Sequence, residues 1–288
     1  MKTKYNVGII GLGYVGSACK QVFSKNSTIQ TYDIRKKSTC QSIEDLVSKS
    51  DIIFICVPTP MNTDGSTDLS IISDIFTKID KCDNLSNKHF CIKSTIPVGT
   101  CSELSKKFEN CNIIFNPEFL REKSSNRDFE NQNRIILGGT KKSLNVLSNF
   151  YKNFFEKVPI IKTDYKTAEL AKYFTNSFLA TKVSFANEIY TLCDVLRINY
   201  TDLKSIILLD DRIVDSHLDV PGHDEKKGFS GSCFPKDLSS LIHQYKVLKV
   251  KSPILNAVWE RNYSIDRKNK DWEDLAKRKV SLNRKVKK

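Results

Sequence analysis

The first 165 residues alternate between short apolar runs and segments with helical spacing. Short apolar runs bounded by turn residues are typical of buried strands, and apolar residues three or four apart are typical of helices. The predicted strands lie at 5–10, 28–32, 51–57, 89–94, 112–115, 134–138 and 159–162. The predicted helices between them lie at 17–24, 43–48 and 69–79. This alternation predicts an α/β domain over residues 1–165 with an open sheet.

Beyond residue 165 the pattern becomes helical. Residues 167–196 keep apolar positions at helical spacing without Gly or Pro, and such a helix is about 45 Å long. A helix of this length often forms a domain spine or a dimer surface, so we expect a homodimer through it. Shorter helices are predicted at 203–209, 238–248 and 253–265. The predicted organisation is a helical domain over 166–275 and a basic tail over 276–288.

The first strand runs into a G-x-G-x-x-G turn. Such glycines permit a tight turn, a close approach of the backbone to a pyrophosphate, and close packing of the next helix. The second strand ends at Asp33, where a carboxylate can bind both ribose hydroxyls of NAD and repel the 2′-phosphate of NADP; the basic residues 35–37 weaken that preference. These features predict a Rossmann-type domain that binds NAD. The expected cofactor contacts in the turn are Gly11, Gly13, Tyr14, Val15 and Gly16.

Hydroxyl and carboxyl side chains follow the later strands. Thr59 and Thr95 each come just after a predicted strand, at the edge of the sheet where ligands gather. We therefore expect both at the cofactor, although hydroxyls that only stabilise the turns fit the same positions. Glu118 and Glu122 follow the next strand beside an arginine, and they fit either a site or a surface ion-pair cluster.

A cysteine among small residues marks the helical region, in the segment GFSGSCFPKD at 228–237. Little side-chain bulk surrounds Cys233, and Lys236 and Asp237 supply a cation and a carboxylate nearby. A thiol titrates near pH ~8.5, and a cation that favours the thiolate makes it a better nucleophile. Asp237 also precedes a predicted helix that it could cap. A buried cysteine in a glycine and proline turn is the other interpretation.

Composition narrows the class of protein. The nine cysteines form no CxxC pair, which fits reduced thiols of a cytoplasmic protein and predicts neither disulfides nor a bound metal. No apolar run approaches the ~18 residues of a membrane span. Much of the net charge of +13 lies in residues 277–288, without a nucleic-acid-binding motif. We therefore expect anionic small molecules, such as nucleotide sugars, rather than nucleic acid or membrane.

Six strings in this order resemble the UDP-glucose 6-dehydrogenases and the related GDP-mannose and UDP-N-acetyl-hexosamine dehydrogenases. They are GLGYVG, VPTP, STIPVGT, NPEFLRE, AKYFTNSFLATKVSFANE and SCFPKD, over roughly residues 5–265. The resemblance implies NAD-dependent oxidation of a sugar C6 alcohol to a carboxylate, with UDP-glucose the expected substrate and polysaccharide biosynthesis the expected context. In such enzymes a cysteine traps the aldehyde as a thiohemiacetal, which is oxidised to a thioester and hydrolysed.

The resemblance also implies roles for single residues. Cys233 would be the nucleophile, and Lys172 and Asn176 would stabilise the developing oxyanion. Asp237 and Thr95 would position or activate water. From its position alone, an ordinary surface lysine is the favoured interpretation of Lys172.

The other implied contacts belong to the cofactor and the substrate. Glu122 would sit near both nicotinamide and substrate, with Glu118 supporting it, and either could be the base in thioester hydrolysis. Lys236 would lie near the cofactor. The expected substrate-binding residues are Phe119, Leu120, Lys172, Asn176, Arg212 and Gly231.

Three features depart from the family pattern. Ser230 replaces one glycine of the diglycine that usually precedes the cysteine, which would strain the loop if that position required φ > 0. His223 and Glu225 stand where Pro and Gly are common. The family's further nucleotide-binding domain, which holds the uridine diphosphate, is not within these 288 residues. A natural short form, a fragment and a protein with another substrate all fit.

Two other functions stay open on the sequence alone. A two-electron hydroxyacid-type dehydrogenase shares this architecture and would tolerate Cys233→Ser. A truncated protein that binds NAD or a nucleotide sugar without catalysis would explain the departures. The retained set of chemical side chains favours the nucleotide-sugar dehydrogenase.

Overall fold

The computed structural model describes residues 5–273, which divide into two compact units. One unit comprises the described residues up to Thr59 together with Asp68–Lys172. The other comprises Pro60–Thr67 and the described residues from Tyr173 onward. The predicted basic tail at 276–288 lies outside the described residues. Within residues 5–273, none of the helices combines the length and the apolar character that a membrane span requires.

The first unit is built on one sheet of seven strands in the order β2-β1-β3-β4-β5-β6-β7. The strands are β1 (Tyr5–Ile10), β2 (Ser27–Tyr32), β3 (Ile52–Ile55), β4 (His89–Ile92), β5 (Asn112–Phe115), β6 (Ile135–Gly139) and β7 (Ile160–Thr163). All neighbours run parallel except β5 and β6. Because β1 lies between β2 and β3, the strand order reverses at β1. Such a reversal opens a crevice at the carboxyl ends of the strands, where ligands of open α/β sheets bind.

The central strands are apolar because both faces of the sheet are covered. All four residues of β3 are buried, and alternate residues enter different cores. Ile53 and Ile55 pack in one cluster, whereas Ile52 and Phe54 pack in the other, where the Phe54 ring lies 4.9 Å from that of Phe23. A continuous apolar run is therefore what a parallel strand with helices on both faces needs.

Six helices belong to the first unit alone. They are α1 (Tyr14–Phe23), α2 (Ile43–Ser48), α3 (Ser70–Ile79), α4 (Thr100–Lys107), α5 (Ser125–Glu130) and α6 (Lys141–Lys152). The sequence pattern predicted the first three and missed the others, which are polar or short. The predicted α/β fold class is confirmed, and all seven predicted strands are present with ends shifted by no more than two residues.

The helical part of the chain begins with α7 (Tyr165–Leu196), a helix of 32 residues that starts in the first unit and continues through the second. The second unit also holds α8 (Tyr200–Ile207), α9 (Phe234–Val247) and α10 (Pro253–Arg261). α10 ends four residues before the predicted end, because the chain continues as a π-helix over Asn262–Asp266. The long helix and the helical character of this region are as predicted.

The buried face of α7 is small and polar, whereas its large apolar side chains are exposed. Phe174 and Phe178 keep 66% and 55% of their surface accessible, and their rings stack at 6.1 Å. The buried positions are Ala168, Glu169, Lys172, Tyr173, Asn176, Ser177, Ala180, Ser184, Ala186, Asn187 and Cys193. An ordinary amphipathic helix buries the opposite set of residues. The polar face of α7 therefore needs partners, and these define much of the candidate site.

Candidate functional site

Two glycines of the turn after β1 are required by packing, and the third faces open space. A Cβ at Gly11, where φ is +90°, would lie 2.6 Å from the Cys56 carbonyl oxygen. A Cβ at Gly16 would lie 1.9 Å from the Gly11 carbonyl oxygen. A Cβ at Gly13, the N-cap of α1, would have no protein atom within 4 Å. The space beside Gly13 at a helix N-terminus suits a pyrophosphate.

Asp33 directly follows β2 and is bound to the glycine turn. Its Oδ2 accepts a hydrogen bond from Leu12 N at 2.6 Å, and its Oδ1 accepts from the backbone amides of Arg35 and Lys36 at 2.8 and 3.0 Å. Lys36 Nζ donates to the Leu12 carbonyl oxygen at 2.5 Å, a contact that sequence reasoning missed. The carboxylate is held beside the space at Gly13, so this chain's residues fit the ribose and pyrophosphate of NAD.

The carboxyl ends of β3 and β4 are joined through their hydroxyl residues. Thr59 Oγ1 donates to the Thr95 carbonyl oxygen at 2.7 Å, and both residues are buried. Ser94 Oγ donates to the Val57 carbonyl oxygen at 2.6 Å. The structure therefore brings the two predicted threonines together at one edge of the sheet, where the Thr59 hydroxyl also stabilises the turn.

Lys172 and Glu118 form a buried ion pair within the first unit. Lys172 Nζ lies 3.1 Å from Glu118 Oε1 and donates to the Glu118 carbonyl oxygen at 2.5 Å. Glu118 Oε2 accepts from Leu120 N at 2.8 Å. The two side chains expose only 3% and 5% of their surface. A lysine this buried is not an ordinary surface residue, and it requires the carboxylate beside it.

The rest of the segment after β5 lies nearer the surface. Glu122 is exposed and begins a short 3₁₀ turn, and Phe119 is half-buried with Lys172 Nζ 5.3 Å from its ring centre. Arg121 binds Asp128 through Nε and Nη2 at 3.0 and 2.7 Å. These hydrogen bonds hold the pKa of the Asp128 carboxyl well below its usual range. The arginine of this motif thus pairs with Asp128.

Sequence reasoning missed Glu169, a fully buried residue of α7. Its carboxylate accepts from Gly99 N at 2.6 Å and from Cys101 N at 2.8 Å, at the N-terminus of α4. Burial raises the pKa of this carboxyl. Glu169 therefore anchors the loop that follows Thr95. The available signal was its position three residues before Lys172, on the same face of the helix.

Cys233 is the N-cap of α9 in the second unit and is half-buried. Its Sγ lies 3.7 Å from Ser232 Oγ, and its carbonyl oxygen accepts from Asp237 N at 2.8 Å. α9 begins at Phe234, four residues before the predicted start, so Asp237 lies in the first turn and not at the N-cap. The cysteine thus sits at the positive end of a 14-residue helix, a common setting for reactive thiols in proteins.

Three predicted site residues meet in the second unit. Asn176 Nδ2 donates to Asp237 Oδ2 at 2.5 Å, and Lys236 Nζ donates to Asp237 Oδ1. Asp237 is 1% exposed, so both of its oxygens are satisfied inside the protein. Burial by itself would lower the pKa of Lys236, but the charge of Asp237 outweighs this effect and raises it. Asn176, Lys236 and Asp237 therefore form one charged cluster, a turn away from Cys233 along α9.

The departures from the family pattern have different structural consequences. Ser230 is not among the described residues with positive φ, whereas Gly231 has φ +84°. The serine is therefore tolerated without left-handed strain. Glu225, which stands where the family often has glycine, does adopt φ +60°. Arg212 lies on an exposed turn, where its guanidinium binds the Asp210 carboxylate.

Comparison with known proteins identifies the family. Residues 32–155 match the NAD-binding domain of the UDP-glucose/GDP-mannose dehydrogenase family, and residues 166–264 match its central domain. The chain belongs to this family. The match confirms the predicted membership, the Rossmann-type domain followed by a helical domain, and NAD as the cofactor that the first domain binds. The roles of the individual site residues stay predictions.

Relatives of known identity agree with this assignment. The UDP-glucose 6-dehydrogenase of Rickettsia felis is 38% identical over 224 residues, which cover 75% of this chain and 48% of that protein. The chain thus spans about half the length of this curated relative. A UDP-glucose dehydrogenase structure from Pyrobaculum islandicum superposes with a TM-score of 0.80 at 27% identity, covering 91% of this chain and 68% of that one.

A more distant structure shares the fold alone. The 3-hydroxyisobutyrate dehydrogenase of Mycobacterium tuberculosis superposes with a TM-score of 0.74 at 17% identity. The match covers 90% of this chain and 92% of that one. The two-unit architecture therefore does not by itself distinguish nucleotide-sugar dehydrogenases from hydroxyacid-type dehydrogenases.

Proposed function

We propose that this protein oxidises the C6 alcohol of a nucleotide sugar, UDP-glucose in the first place, to a carboxylate for polysaccharide biosynthesis. The balanced reaction converts R–CH₂OH, two NAD⁺ and one water to R–COO⁻, two NADH and three protons. The observation that carries the proposal is Cys233 at the N-terminus of α9, with Asp237, Asn176 and Lys236 clustered one turn further on. An alcohol dehydrogenase that stops at the aldehyde has no need of this thiol.

The first unit supplies the cofactor site in this proposal. Gly13 leaves the space for the pyrophosphate, and the Asp33 carboxylate is fixed where it can accept from the ribose hydroxyls. Ile34 beside it is 61% exposed and offers an apolar surface for adenine. When bound, NAD accepts one hydride in each of the two oxidations. Thr95 and Thr59 stand at the same edge of the sheet, at the carboxyl ends of β4 and β3.

Cys233 makes aldehyde oxidation possible because its addition product carries a transferable hydrogen. The thiolate attacks the aldehyde carbon, a C–S bond forms, and the carbonyl electron pair moves to oxygen, which takes a proton. The resulting thiohemiacetal carbon loses its hydrogen in the second oxidation and becomes a thioester. Lys172 and Asn176, one turn apart on α7, are the proposed donors to the oxyanion. Their hydrogen bonds to Glu118 and Asp237 hold them in place.

Thioester hydrolysis needs a base and a bound water. Water adds to the acyl carbon, the C–S bond breaks, and the electron pair returns to the sulfur of Cys233. We assign Asp237 and Thr95 to positioning the water. Glu118 already binds Lys172 and a backbone amide, so we assign it a supporting role and assign the exposed Glu122 as the base.

The decisive experiment is the yield of NADH per molecule of limiting UDP-glucose. We expect two NADH from the wild type and none or one from Cys233→Ala, because the aldehyde can then no longer be trapped. Cys82→Ala is the matched control, since it removes a partly buried thiol beyond α3 and should leave the yield at two. One NADH from the wild type, with an active Cys233→Ser variant, would favour the hydroxyacid-type reaction. No NADH with intact NAD binding would favour another substrate or a binding protein.

The homodimer predicted through residues 167–196 remains part of the proposal. The outer face of α7 supports it, because a row of large apolar side chains there is exposed to solvent. In the second unit this row consists of Phe174, Phe178, Phe185, Leu192, Val195 and Leu196. We expect a dimer by analytical ultracentrifugation and a monomer after Phe178→Glu. Lys166→Glu on an exposed position of the same helix is the control and should remain dimeric.

We further propose a cytoplasmic location. All nine cysteines lie within the described residues, and none forms a disulfide. A nucleophilic Cys233 requires a reducing compartment, and the cytoplasm provides one. Fractionation of the source cells would test this, and recovery with a secreted fraction would contradict it.

A further inference from the structure

Ser230, three residues before Cys233, is bound through its side chain to Asp271. Ser230 Oγ donates to Asp271 Oδ1 at 2.6 Å. Asp271 Oδ2 accepts from Arg267 Nη1 at 2.9 Å and from Lys226 Nζ at 3.3 Å. Burial would raise the pKa of Asp271, but these hydrogen bonds and charges lower it. Ser230 therefore binds a charged acceptor that two cations hold in place, which makes a stronger hydrogen bond than a neutral pair.

Arg267 connects this contact to the start of the cysteine loop. The guanidinium is 2% exposed, and its Nη2 binds the Asp224 carboxylate while its Nη1 binds Asp271. Asp224 thus contacts this buried cation directly, and Ser230 is linked to it through Asp271. Loss of one partner of a buried cation strongly destabilises a protein. The arrangement of Arg267 and its two carboxylates is therefore strongly held.

The backbone between these two points is fixed independently. Asn262 Oδ1 accepts from Phe229 N at 2.8 Å, and Asn262 Nδ2 donates to the Phe229 carbonyl oxygen at 3.0 Å. Gly228 N donates to Asn187 Oδ1 at 3.1 Å. The contact between Ser230 and Asp271 then extends this anchoring by one residue, directly before the Gly231 turn that leads to Cys233.

We propose that Asp271 is a positioning residue for Cys233, which it holds in register through Ser230 and the Gly231 turn. This role depends on the proposed function, in which Cys233 is the nucleophile. A glycine at position 230 has no hydroxyl and cannot make the contact. The serine that departs from the family pattern thus gives this loop an anchor that a diglycine loop lacks. Misplacing a reacting group by about 1 Å can cost on the order of a hundredfold in rate.

The first test compares variants that differ only in the hydroxyl at position 230. Ser230→Ala removes the contact, and Ser230→Thr keeps a hydroxyl that can restore it. We expect kcat for NADH formation to fall about tenfold in the alanine variant, with KM for NAD and nucleotide sugar unchanged, and to recover in the threonine variant. Ser264→Ala is the control, since Ser264 Oγ donates to Glu260 at 2.5 Å on the exposed surface of the same unit. Wild-type kcat in Ser230→Ala overturns the proposal.

The second test asks whether Ser230 and Asp271 act through the same contact. Asp271→Ala should lower kcat at least as much as Ser230→Ala, and the double variant should be no slower than Asp271→Ala alone. Rate losses that multiply would show independent effects and would contradict the proposed role. If Asp271→Ala does not fold, the alanine and threonine pair at position 230 still decides.

A measurement without substrate separates this proposal from the proposed function. Hydrogen exchange of the peptide that contains residues 229–233 reports the order of the loop whether or not the protein oxidises a sugar. We expect faster exchange in Ser230→Ala and Asp271→Ala than in the wild type or Ser264→Ala. An unchanged rate of hydrogen exchange in these two variants would overturn the proposed anchor, even if the enzyme is active. Faster exchange in a protein that makes no NADH would support the anchor and refute the proposed reaction.

Discussion

Asn176 donates a hydrogen bond from Nδ2 to Oδ2 of Asp237 at 2.5 Å, and both side chains are buried. The asparagine lies on the polar face of α7, and the aspartate lies in the first turn of α9. A buried carboxylate needs a partner for each oxygen, and the Lys236 ammonium supplies the other. The contact therefore satisfies the buried Asp237 carboxylate, and it joins two residues assigned to the proposed chemistry at Cys233.

Asn176→Ala should destabilise the protein as well as slow it. The variant leaves one oxygen of a buried carboxylate without this donor, which costs about 1–3 kcal/mol in the free energy of unfolding. Urea denaturation measures this loss. Asn256→Ala is the control, because its Nδ2 donates to the Ser252 carbonyl oxygen on an exposed helix, and a change of at most about 0.5 kcal/mol is expected. Equal stability of the two variants would contradict the inference that the buried Asp237 carboxylate needs the Asn176 donor.

Gly13→Ala should separate cofactor binding from folding. An added Cβ at Gly13 meets no protein atom within 4 Å, so the melting temperature should stay close to that of the wild type. The same Cβ would occupy the space proposed for the pyrophosphate, and we expect the Kd for NADH to rise on the order of tenfold. Titration of NADH fluorescence measures this change.

Gly16→Ala is the matched variant for that experiment. Its Cβ would lie 1.9 Å from a backbone oxygen, so it should lower the melting temperature as well as the affinity. NADH binding at wild-type strength in a folded Gly13→Ala protein would show that the cofactor does not approach this turn.

Glu225→Gly should be more stable than Glu225→Ala. Glu225 adopts φ +60°, a left-handed conformation that costs an L-residue with a Cβ about 1–2 kcal/mol and costs glycine little. Part of this gain is offset by the greater freedom of glycine in the unfolded chain, so we expect a difference of about 1 kcal/mol. Glu260→Gly and Glu260→Ala in α10 are the control pair. Within a helix the alanine variant should be the more stable of the two. Chemical denaturation of the four variants gives both differences.

Asp128 should contribute stability that disappears in acid. Its hydrogen bonds with Arg121 lower the pKa of the folded carboxyl below the unfolded value of about 3.9. A lowered folded pKa gives stability that is present above the unfolded pKa and is lost as the pH falls through the folded pKa. The stability difference between wild type and Asp128→Asn should therefore shrink as the pH falls from about 5 to about 2.

Urea midpoints across this pH range would measure the contribution of Asp128. The Asp74→Asn variant is the comparison, since the exposed Asp74 carboxylate pairs with Lys78 at the surface and should contribute little. A difference between wild type and Asp128→Asn that stays constant with pH would show that the Arg121 contact does not hold the carboxylate ionised.

Local patterns in the sequence were sufficient for all seven strands of the first unit and for three of its six helices. The strand at 112–115, the helix at 43–48 and the glycine turn after the first strand are found where they were predicted. Each depends on neighbours in the chain, because apolar periodicity and glycine turns are short-range properties. The helix α4 was missed for the same reason, since its polar sequence acquires a cap only from Glu169, about seventy residues away.

The sequence by itself determined the class of fold, the cofactor turn and the cysteine on which the proposed reaction depends. Only the tertiary structure decided which face of α7 is covered, and it selected the polar face with Lys172 and Asn176 over the row of phenylalanines. It alone showed that Ser230 is bound by Asp271, 41 positions later in the chain. Periodicity reports that a helix has two faces, but the partners that cover a face come from distant parts of the chain. Those partners form only when the chain folds, and no local pattern specifies them.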